Sequence, residues 1–254
     1  MQLIRSLMEK AARATPASTE TRYAGWWLRH TDSETWWAGA VLAHGSQGQI
    51  GDRIGAAERF YANHNAPPRF QICPACPPDL DALLAQRRYI TSARMSLMTA
   101  EARSPMRGAN NPAVTIKAHT APSDDWVTIL KSAHPTGWEA ELRMISRVSD
   151  PSTFVTAYVD GVAVGTGRGV ADDGSTGVFH LATVPLARGT GVARSVLATI
   201  SQWASTAAAE RLHLQVDPTN VAAIGLYEQA GFELLTDYTY RVAPWDLSVP
   251  VDSP

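Results

Sequence analysis

The chain has 254 residues, of which 45% are apolar and 18% are charged, and its formal net charge is −2 at pH 7. This length exceeds a typical domain of about 100–150 residues, so two domains with apolar cores are expected. The balanced charge shows no broad basic surplus that would suggest nucleic acid, and the sequence lacks the stretch of about 20 apolar residues that a membrane helix needs. We therefore expect a cytoplasmic protein, as a monomer or homodimer, with neither nucleic acid nor membrane as a partner.

The first half of the chain predicts a short series of helices and strands. An amphipathic helix is expected within residues 1–20, and residues 23–42 are typical of a β-hairpin whose turn lies at residues 31–33. Further helices are predicted at residues 54–64 and 79–87. The hairpin carries four tryptophans, which are Trp26, Trp27, Trp36 and Trp37. They indicate an apolar core rather than a platform for nucleic acid, because few Lys or Arg residues accompany them.

Cys73 and Cys76 form the sequence CPAC. A four-ligand zinc site would need a second pair of cysteines, and the chain has no other cysteine. A redox motif would need the pair at the start of a helix that follows a strand, and the two prolines after Cys76 disfavour that arrangement. We therefore expect incidental loop cysteines and no bound metal.

The second half predicts an alternation of strands and helices. Residues 101–112 are polar and contain two prolines, which is typical of a linker. Asp160-Gly161 marks the turn of a later hairpin. Residues 177–232 then predict a strand, a tight glycine turn, a long helix, a second strand and a short helix. Val192 and Val196 share one face of the long helix, as an amphipathic helix requires.

The glycine turn at residues 185–191 has the composition of an anion-binding site. The first N–H groups of a helix have no partner within the helix, and the helix dipole favours negative charge there. Gly189 and Gly191 let the backbone approach a ligand closely, and Arg188 adds a positive charge suited to phosphate. A simple strand-to-helix turn is the alternative. A Rossmann dinucleotide site is excluded because Arg194 occupies the position of its third glycine.

Two motifs in this stretch resemble the signature of the GCN5-related N-acetyltransferases. The first, at the turn, is Val184-Pro185 followed by Arg188-x-x-Gly191-x-Ala193, which is similar to the loop that binds the pyrophosphate of acetyl-CoA. The second is Asn220-x-x-Ala223-x-x-Leu226-Tyr227-x-x-x-Gly231-Phe232. The two occur in the family's order, separated by a long helix and a strand, and the resemblance covers residues 113–245.

The resemblance implies an α/β (α+β) fold and transfer of an acetyl group from acetyl-CoA, the cosubstrate, to an amine. It also implies which residues bind acetyl-CoA: Ala182, Thr183, Val184, Arg188, Gly189, Thr190, Gly191, Val192, Ala193, Asn220 and Tyr227. Tyr227 matches the family's general acid as well. A phenol with a pKa of about 10 stays protonated at neutral pH and can donate a proton to a departing thiolate. Packing as a core aromatic residue is the alternative role for Tyr227.

A general base does not follow from the resemblance. Some relatives, such as the ribosomal-protein alanine acetyltransferases, carry a glutamate at the position of Gln215, and an amide cannot accept the proton. His180 is the nearest titratable candidate, with an unperturbed pKa of about 6.5. A strand-edge histidine, a water relay and catalysis without a protein base are the alternatives.

The acceptor suggested by the resemblance is a small-molecule amine of the amino acid, antibiotic or amino-sugar type. Residues 134–149 are expected to face it, where Glu139 or Glu141 would recognise a cation or, alternatively, lie on a solvated helix face. Two other functions remain open. One is a non-catalytic, regulatory acyl-CoA-binding module, which the missing glutamate favours and Tyr227 disfavours. The other is acetylation of a protein or peptide.

An internal repeat predicts a tandem arrangement. Residues 80–90 parallel residues 223–233, with Leu84 at the position of the expected acid Tyr227. Each half is therefore expected to contain a mixed, mostly antiparallel sheet flanked by helices. The predicted domains are a degenerate domain at 1–108, which is scaffold and one wall of the acceptor pocket, a catalytic domain at 113–245, and a tail at 246–254.

Overall fold

A computed structural model describes residues 1–31, 33–45, 47–102 and 111–244. The predicted tail at 246–254 lies outside these residues. So do most of the predicted linker at 101–112 and the middle residue of the turn predicted at 31–33. Among the described residues, no helix has the length and apolar character that crossing a membrane requires.

Helices and strands alternate along much of the described chain. The α-helices are α1 (Gln2–Ala14), α2 (Ile50–Ala62), α3 (Leu80–Gln86), α4 (Asp124–Ala133), α5 (Trp138–Ile145), α6 (Val192–Thr206) and α7 (Val221–Gln229). The strands are β1 (Thr19–Tyr23), β2 (Trp26–His30), β3 (Val41–Leu42), β4 (Arg69–Ile72), β5 (Ile90–Glu101), β6 (Thr115–His119), β7 (Ser152–Val159), β8 (Val162–Asp172), β9 (Ser175–Thr183), β10 (Arg211–Val216) and β11 (Glu233–Val242). Short 3₁₀ helices span Ser33–Gly39 and Pro185–Ala187.

The described residues divide into two compact units. Unit 1 takes those within 1–6, 17–95 and 237–254, and unit 2 takes those within 7–16 and 96–236. The units are therefore discontinuous along the chain, unlike the expected domains 1–108 and 113–245. The reason is that most of α1 belongs to unit 2, while β5 and β11 each contribute residues to both units. The roles expected for those two ranges stay predictions.

Unit 1 contains the strand sequence β1-β2-β3-β4-β11, antiparallel except for the parallel pair β3 and β4. The predicted hairpin at 23–42 is correct only in part, because β2 and β3 pair antiparallel, with Trp27 opposite Leu42, but a 3₁₀ helix replaces the start of the second strand. A tight hairpin instead joins β1 and β2 and turns at Ala24-Gly25, where both residues have positive φ, as a two-residue turn requires. Trp36 and Trp37 lie in the 3₁₀ helix instead of a strand. Gly39 allows this tight path, because a Cβ atom there would lie 2.7 Å from the backbone nitrogen of Thr31.

The two segments of the predicted internal repeat, at α3 and α7, end their helices with the same hydrogen bond, which α2 and α6 also form. At both ends an amide donates to a carbonyl five residues earlier: Tyr89 to Leu84 at 3.0 Å and Phe232 to Tyr227 at 2.9 Å. This is the hydrogen bond of the Schellman motif, which needs a left-handed residue just before the donor. That residue is Arg88, with φ 65°, in α3 and Gly231, with φ 89°, in α7. The two segments therefore end their helices alike.

Unit 2 contains the strand sequence β5-β10-β9-β8-β7-β6, which is antiparallel except for the parallel pair β9 and β10. Helix α6 packs closely on β8, because Gly165, Gly167 and Gly169 recur at every second position on one face. A Cβ atom at Gly165 would lie 2.5 Å from Val192 and one at Gly167 would lie 2.6 Å from Val196. The mixed, mostly antiparallel sheet with flanking helices is confirmed.

Candidate active site

Strands β9 and β10 part at their carboxyl ends. They pair only from Arg211 opposite Ser175 to His213 opposite Gly177, although β9 continues to Thr183 and β10 to Val216. Beyond this point β9 pairs with β8, and β10 pairs with β5. The backbone groups on one edge of β9 are thus left without a neighbouring strand. An extended ligand can pair with such an edge as an additional strand would.

A β-bulge lies in the same part of β9. The register with β8 shifts between Thr166 and Arg168, so that His180 and Leu181 together face Gly167. His180 has a φ of 53°, which is uncommon for a residue with a side chain and is typical of bulges near functional sites. Its ring lies edge-on to that of Trp126, with centroids 5.7 Å apart. The bulge therefore turns one titratable side chain toward α4 and α5.

The end of β9 leads into the glycine turn predicted from the sequence. Gly189 and Gly191 have φ values of 76° and 88°, and α6 begins directly afterwards. The described residues offer no hydrogen-bond partner of normal geometry to the backbone N–H groups of residues 189–194. Unpartnered N–H groups in series, at the positive end of a helix dipole, favour an anionic ligand.

Side chains around the turn hold it in place and supply a positive charge. The Thr190 hydroxyl donates to the Ala187 carbonyl at 2.7 Å, and the Asn111 side-chain amide donates to the Thr190 carbonyl at 2.7 Å. Arg188 is exposed, and its Nε lies 3.4 Å from the Thr183 carbonyl oxygen. The predicted residues from 182 to 193 therefore form one continuous strand end, turn and helix start, with the guanidinium in solvent.

Tyr227 lies in α7 and belongs to the same apolar cluster as the buried face of α6. Its side chain is buried and packs against Phe232, with ring centroids 5.8 Å apart. Burial raises the pKa of Tyr227 to about 12, so the phenol is protonated at neutral pH. No described residue forms a hydrogen bond with its hydroxyl group. The hydroxyl proton is thus available to a ligand.

A chain of three titratable side chains ends at the bulge. Glu141 of α5 lies between two histidines, with His180 Nε2 at 3.3 Å from one carboxylate oxygen and His134 Nδ1 at 3.3 Å from the other. His180 and Glu141 are buried at the side chain, with 7% and 9% exposed, whereas His134 is 48% exposed. The sequence left Glu141 between a cation-binding role and a solvated helix face. The solvated-face interpretation is wrong for Glu141, because its carboxylate is enclosed.

The two buried members of this chain have shifted pKa values. Burial lowers the pKa of His180, and the hydrogen bond and charge of Glu141 offset only part of that effect. Burial alone would raise the pKa of Glu141, but the hydrogen bond and charge of His180 and the charge of His134 hold it below its usual value. At neutral pH the carboxylate is therefore ionised and the imidazole of His180 is neutral. His180 Nδ1 is buried and has no hydrogen-bond partner among the described residues.

Two other residues singled out in the sequence have local partners. The Asn220 side chain caps α7 by accepting a hydrogen bond from the Ala223 N–H at 3.1 Å, so its contact with acetyl-CoA stays a prediction. Gln215 of β10 is half-buried, and its amide lies 3.5 Å from the Met8 sulfur. This contact with Met8 therefore supplies no carboxylate in place of the missing glutamate.

Comparisons with known proteins agree with this arrangement. The family described as the C-terminal part of the probable histone acetyltransferase Rv0428c matches residues 2–242. An uncharacterized N-acetyltransferase, YobR, of Bacillus subtilis strain 168 is 30% identical over 246 residues, which cover 95% of this chain and 99% of that protein.

Solved structures share the fold along almost the whole chain. A GCN5-related N-acetyltransferase from Kribbella flavida has a TM-score of 0.74 at 17% identity, covering 96% of this chain and 95% of its own. A tandem GNAT protein from the clavulanic acid biosynthesis pathway has a TM-score of 0.67 at 13% identity, covering 96% of this chain and 88% of its own. The tandem arrangement predicted from residues 80–90 and 223–233 is therefore confirmed.

Proposed function

This chain belongs to the GCN5-related N-acetyltransferases, and on that premise we propose that it transfers the acetyl group of acetyl-CoA to the primary amine of a small molecule. The observation that carries the proposal is the parted pair β9 and β10 beside the unpartnered N–H groups of residues 189–194. An open strand edge that leads to an anion-binding turn has the form required by a ligand with an extended amide arm and a pyrophosphate.

The residues fit acetyl-CoA in two places. The N–H groups of residues 189–194 would bind the pyrophosphate oxygens, with Arg188 as the neighbouring positive charge. The free edge at residues 182–184, the end of β9 and the residue after it, would pair with the amide groups of the pantetheine arm. A backbone N–H on this edge would also stabilise the negative charge that develops on the carbonyl oxygen, an effect worth about 3 kcal/mol per donor in a dry site.

Two side chains would manage the protons of the reaction. The acceptor nitrogen forms a bond to the carbonyl carbon, and the carbon–sulfur bond breaks. His180 would take the proton that the amine loses, at Nδ1, because Nε2 faces Glu141 Oε2 at 3.3 Å and is the nitrogen that would carry the hydrogen in the neutral ring. Tyr227 gives its hydroxyl proton to the departing thiolate. Glu141 would position His180 and stabilise the imidazolium that forms, as a buried carboxylate does in a catalytic triad.

The position of the candidate base supports an acceptor with a slim amine group. His180 is enclosed between β9, α4 and α5, so an acceptor must place its amine on a narrow arm to reach Nδ1. This favours an amino acid, an antibiotic or an amino sugar. Acetylation of a lysine in a protein is the second candidate, because the matching family is described as a probable histone acetyltransferase and a lysine side chain is also narrow.

A thioester-cleavage assay over a panel of acceptors tests the proposal. The full chain is mixed with acetyl-CoA and, separately, with amino acids, aminoglycosides, amino sugars and a lysine-rich histone peptide. Release of free thiol that depends on one class of small amine is expected. Turnover only with the peptide would show that the acceptor is a protein or peptide instead of a small molecule. Acetyl-CoA binding without turnover on any amine would indicate a non-catalytic acyl-CoA-binding module.

Replacing Gly191 by valine should weaken acetyl-CoA binding at least tenfold. The φ of 88° at this position strains any residue with a branched side chain, so the turn would change its path and misalign the N–H groups. Each hydrogen bond to a charged group contributes about 1.5–3 kcal/mol, and about 1.4 kcal/mol is a factor of ten in affinity. Isothermal titration calorimetry with acetyl-CoA measures the change.

The matched control for this variant is Gly51→Val. Gly51 lies in the first turn of α2, has no positive φ, and has no atom within 4 Å of an added Cβ. Its replacement should leave acetyl-CoA affinity within about twofold of the wild-type value, a difference below 0.5 kcal/mol. Equal affinity of the Gly191→Val variant and the wild type would remove the turn from the binding site.

The full chain should bind one acetyl-CoA, at unit 2. In unit 1 Leu84 replaces the acid, and Arg53 near the start of α2 is already engaged. Its guanidinium donates to the Gly45 carbonyl at 2.8 Å and lies 4.7 Å from the ring centroid of Trp26. A helix start without a free positive charge is a weak site for phosphate. Calorimetry should give a stoichiometry near one, and a value of two would contradict the degenerate role of the first half.

A further inference from the structure

Three donors of the kind that bind soft metal ions lie together in unit 1. They are His44, Cys73 and Cys76, all of which are buried. Cys73 Sγ lies 3.5 Å from His44 Nε2 and 3.9 Å from Cys76 Sγ. All three donor atoms lie within 4.8 Å of one another. The cluster is far from residues 180–193 in sequence, and the proposed acetyl transfer does not use it.

The fold explains why a distant histidine joins the two cysteines. Strands β3 and β4 are parallel, and Leu42 of β3 is opposite Gln71 of β4. Two residues beyond this pair are His44 and Cys73, which lie just after the ends of the two strands and which this register brings side by side. A turn then brings Cys76 back, with its N–H donating to the Cys73 carbonyl at 3.0 Å. The carboxyl ends of two neighbouring strands thus converge on one point.

The spacing of the donors fits a tetrahedral zinc ion. Zn–S bonds of about 2.3 Å and Zn–N bonds of about 2.0–2.1 Å separate two sulfurs by about 3.8 Å and a sulfur from a nitrogen by about 3.5 Å. The corresponding distances here are 3.9 Å and 3.5 Å. They are much longer than the bond of about 2.05 Å in a disulfide. Both distances from Cys73 therefore match those around a zinc ion, and the His44 and Cys76 donor atoms lie within 4.8 Å of each other.

The surroundings of the sulfurs favour thiolates. Backbone N–H groups of Cys73 and Ala43 point to the Cys76 sulfur, and that of Ala75 points to the Cys73 sulfur. Such donors stabilise negative charge on metal-bound sulfur. The pocket therefore already holds N–H donors beside both sulfurs that would stabilise them as ligands of a metal ion.

We propose that His44, Cys73 and Cys76 bind one Zn²⁺ ion that stabilises unit 1, although the sequence led us to expect incidental cysteines. Two thiolates neutralise the charge of the ion, which makes burial of the whole group favourable. A water molecule completes the tetrahedron. The ion would link the end of β3 to the turn after β4. Without the ion, the neutral thiols form only weak hydrogen bonds, such as that from Cys76 to the Gln71 carbonyl at 3.3 Å.

The first test is metal content. The full chain, prepared without a polyhistidine tag and under reducing conditions, should carry close to one zinc per chain by inductively coupled plasma mass spectrometry. Cys73→Ser, Cys76→Ser and His44→Ala should each lower zinc affinity at least tenfold. The matched control is His64→Ala, which removes a half-buried histidine of unit 1 whose Nδ1 lies 2.8 Å from the Phe60 carbonyl oxygen, and it should keep the zinc.

The second test uses the wild-type chain, so it does not depend on whether the variants fold. Cobalt(II) added after chelation should give a thiolate-to-cobalt charge-transfer band and the intense visible absorption of a tetrahedral site, and zinc should abolish both. Chelation should lower the melting temperature by roughly 10 °C when zinc had been present at about 1,000 times its dissociation constant. Absence of zinc together with absence of the cobalt band in the reduced chain would overturn the proposal. If the mass of the chain is lower by two hydrogen atoms, Cys73 and Cys76 form a disulfide instead, which would also contradict the proposal.

Discussion

Replacing Tyr227 by phenylalanine should lower kcat about 100-fold or more, because a positioned general acid contributes typically 10²–10⁴-fold to a rate. The substitution keeps the packing against Phe232 and removes only the hydroxyl proton. Acetyl-CoA affinity should stay within about twofold, since the proton is needed only when the thiolate leaves. Steady-state kinetics with the best amine of the acceptor panel, together with calorimetry, separate the two effects.

The matched control is Tyr158→Phe in the same unit. The Tyr158 hydroxyl is also largely buried and donates to Asp125 at 2.8 Å, so its loss removes a hydrogen bond of the fold instead of a free proton donor. This variant should lose some thermal stability and keep kcat within about twofold. If Tyr227→Phe turns over like the wild type, Tyr227 is a packing residue and another group protonates the thiolate.

The glycine turn and the repeat were predictable because their signals are local. Gly191 must take a positive φ where a strand turns into α6, and glycine is the residue that does so without strain. The same holds for the chain reversal at Asp160-Gly161, where both residues have positive φ. The end of α7 needs Gly231, and its counterpart in α3 shows that Arg88 can take the same conformation. The sequence alone suggests that the ends of α3 and α7 are equivalent. It does not show that Arg88 takes a left-handed conformation, which is unfavourable for a residue with a side chain.

The residues that the sequence misjudged depend on contacts between distant segments. Glu141 looked like a helix-face acid, and only the bulge at His180, 39 positions later in the sequence, encloses it. His44 has no motif around it, and the parallel register of β3 and β4 alone brings it to Cys73. Trp36 and Trp37 have the apolar, aromatic character of strand residues, yet they lie in a 3₁₀ helix that ends at Gly39, packed closely against Thr31. Such pairings are set by tertiary structure, which local patterns do not encode.

Replacing His180 by glutamine should lower kcat/KM about 100-fold, because the amide cannot accept the amine proton. Glutamine is close to histidine in size, and its amide can still donate to Glu141, so the bulge should persist. The matched control is His119→Gln, which changes an exposed histidine on β6 and should leave kcat/KM unchanged. Unaltered kcat/KM in the His180 variant would leave a water relay, or no protein base, as the remaining mechanism.

The pH profile distinguishes a base from a residue that only maintains the fold. A base is active when neutral, so kcat/KM should rise with pH through the pKa of His180 and then level off. Since burial lowers that pKa, the midpoint should lie below the ordinary value of about 6.5. Glu141→Gln removes the charge that raises the pKa of His180, so it should move the midpoint to still lower pH and reduce the plateau about tenfold through lost orientation. In the His180→Gln variant the rise of kcat/KM with pH should disappear. If the rise persists at the same pH, another group is responsible for the titration.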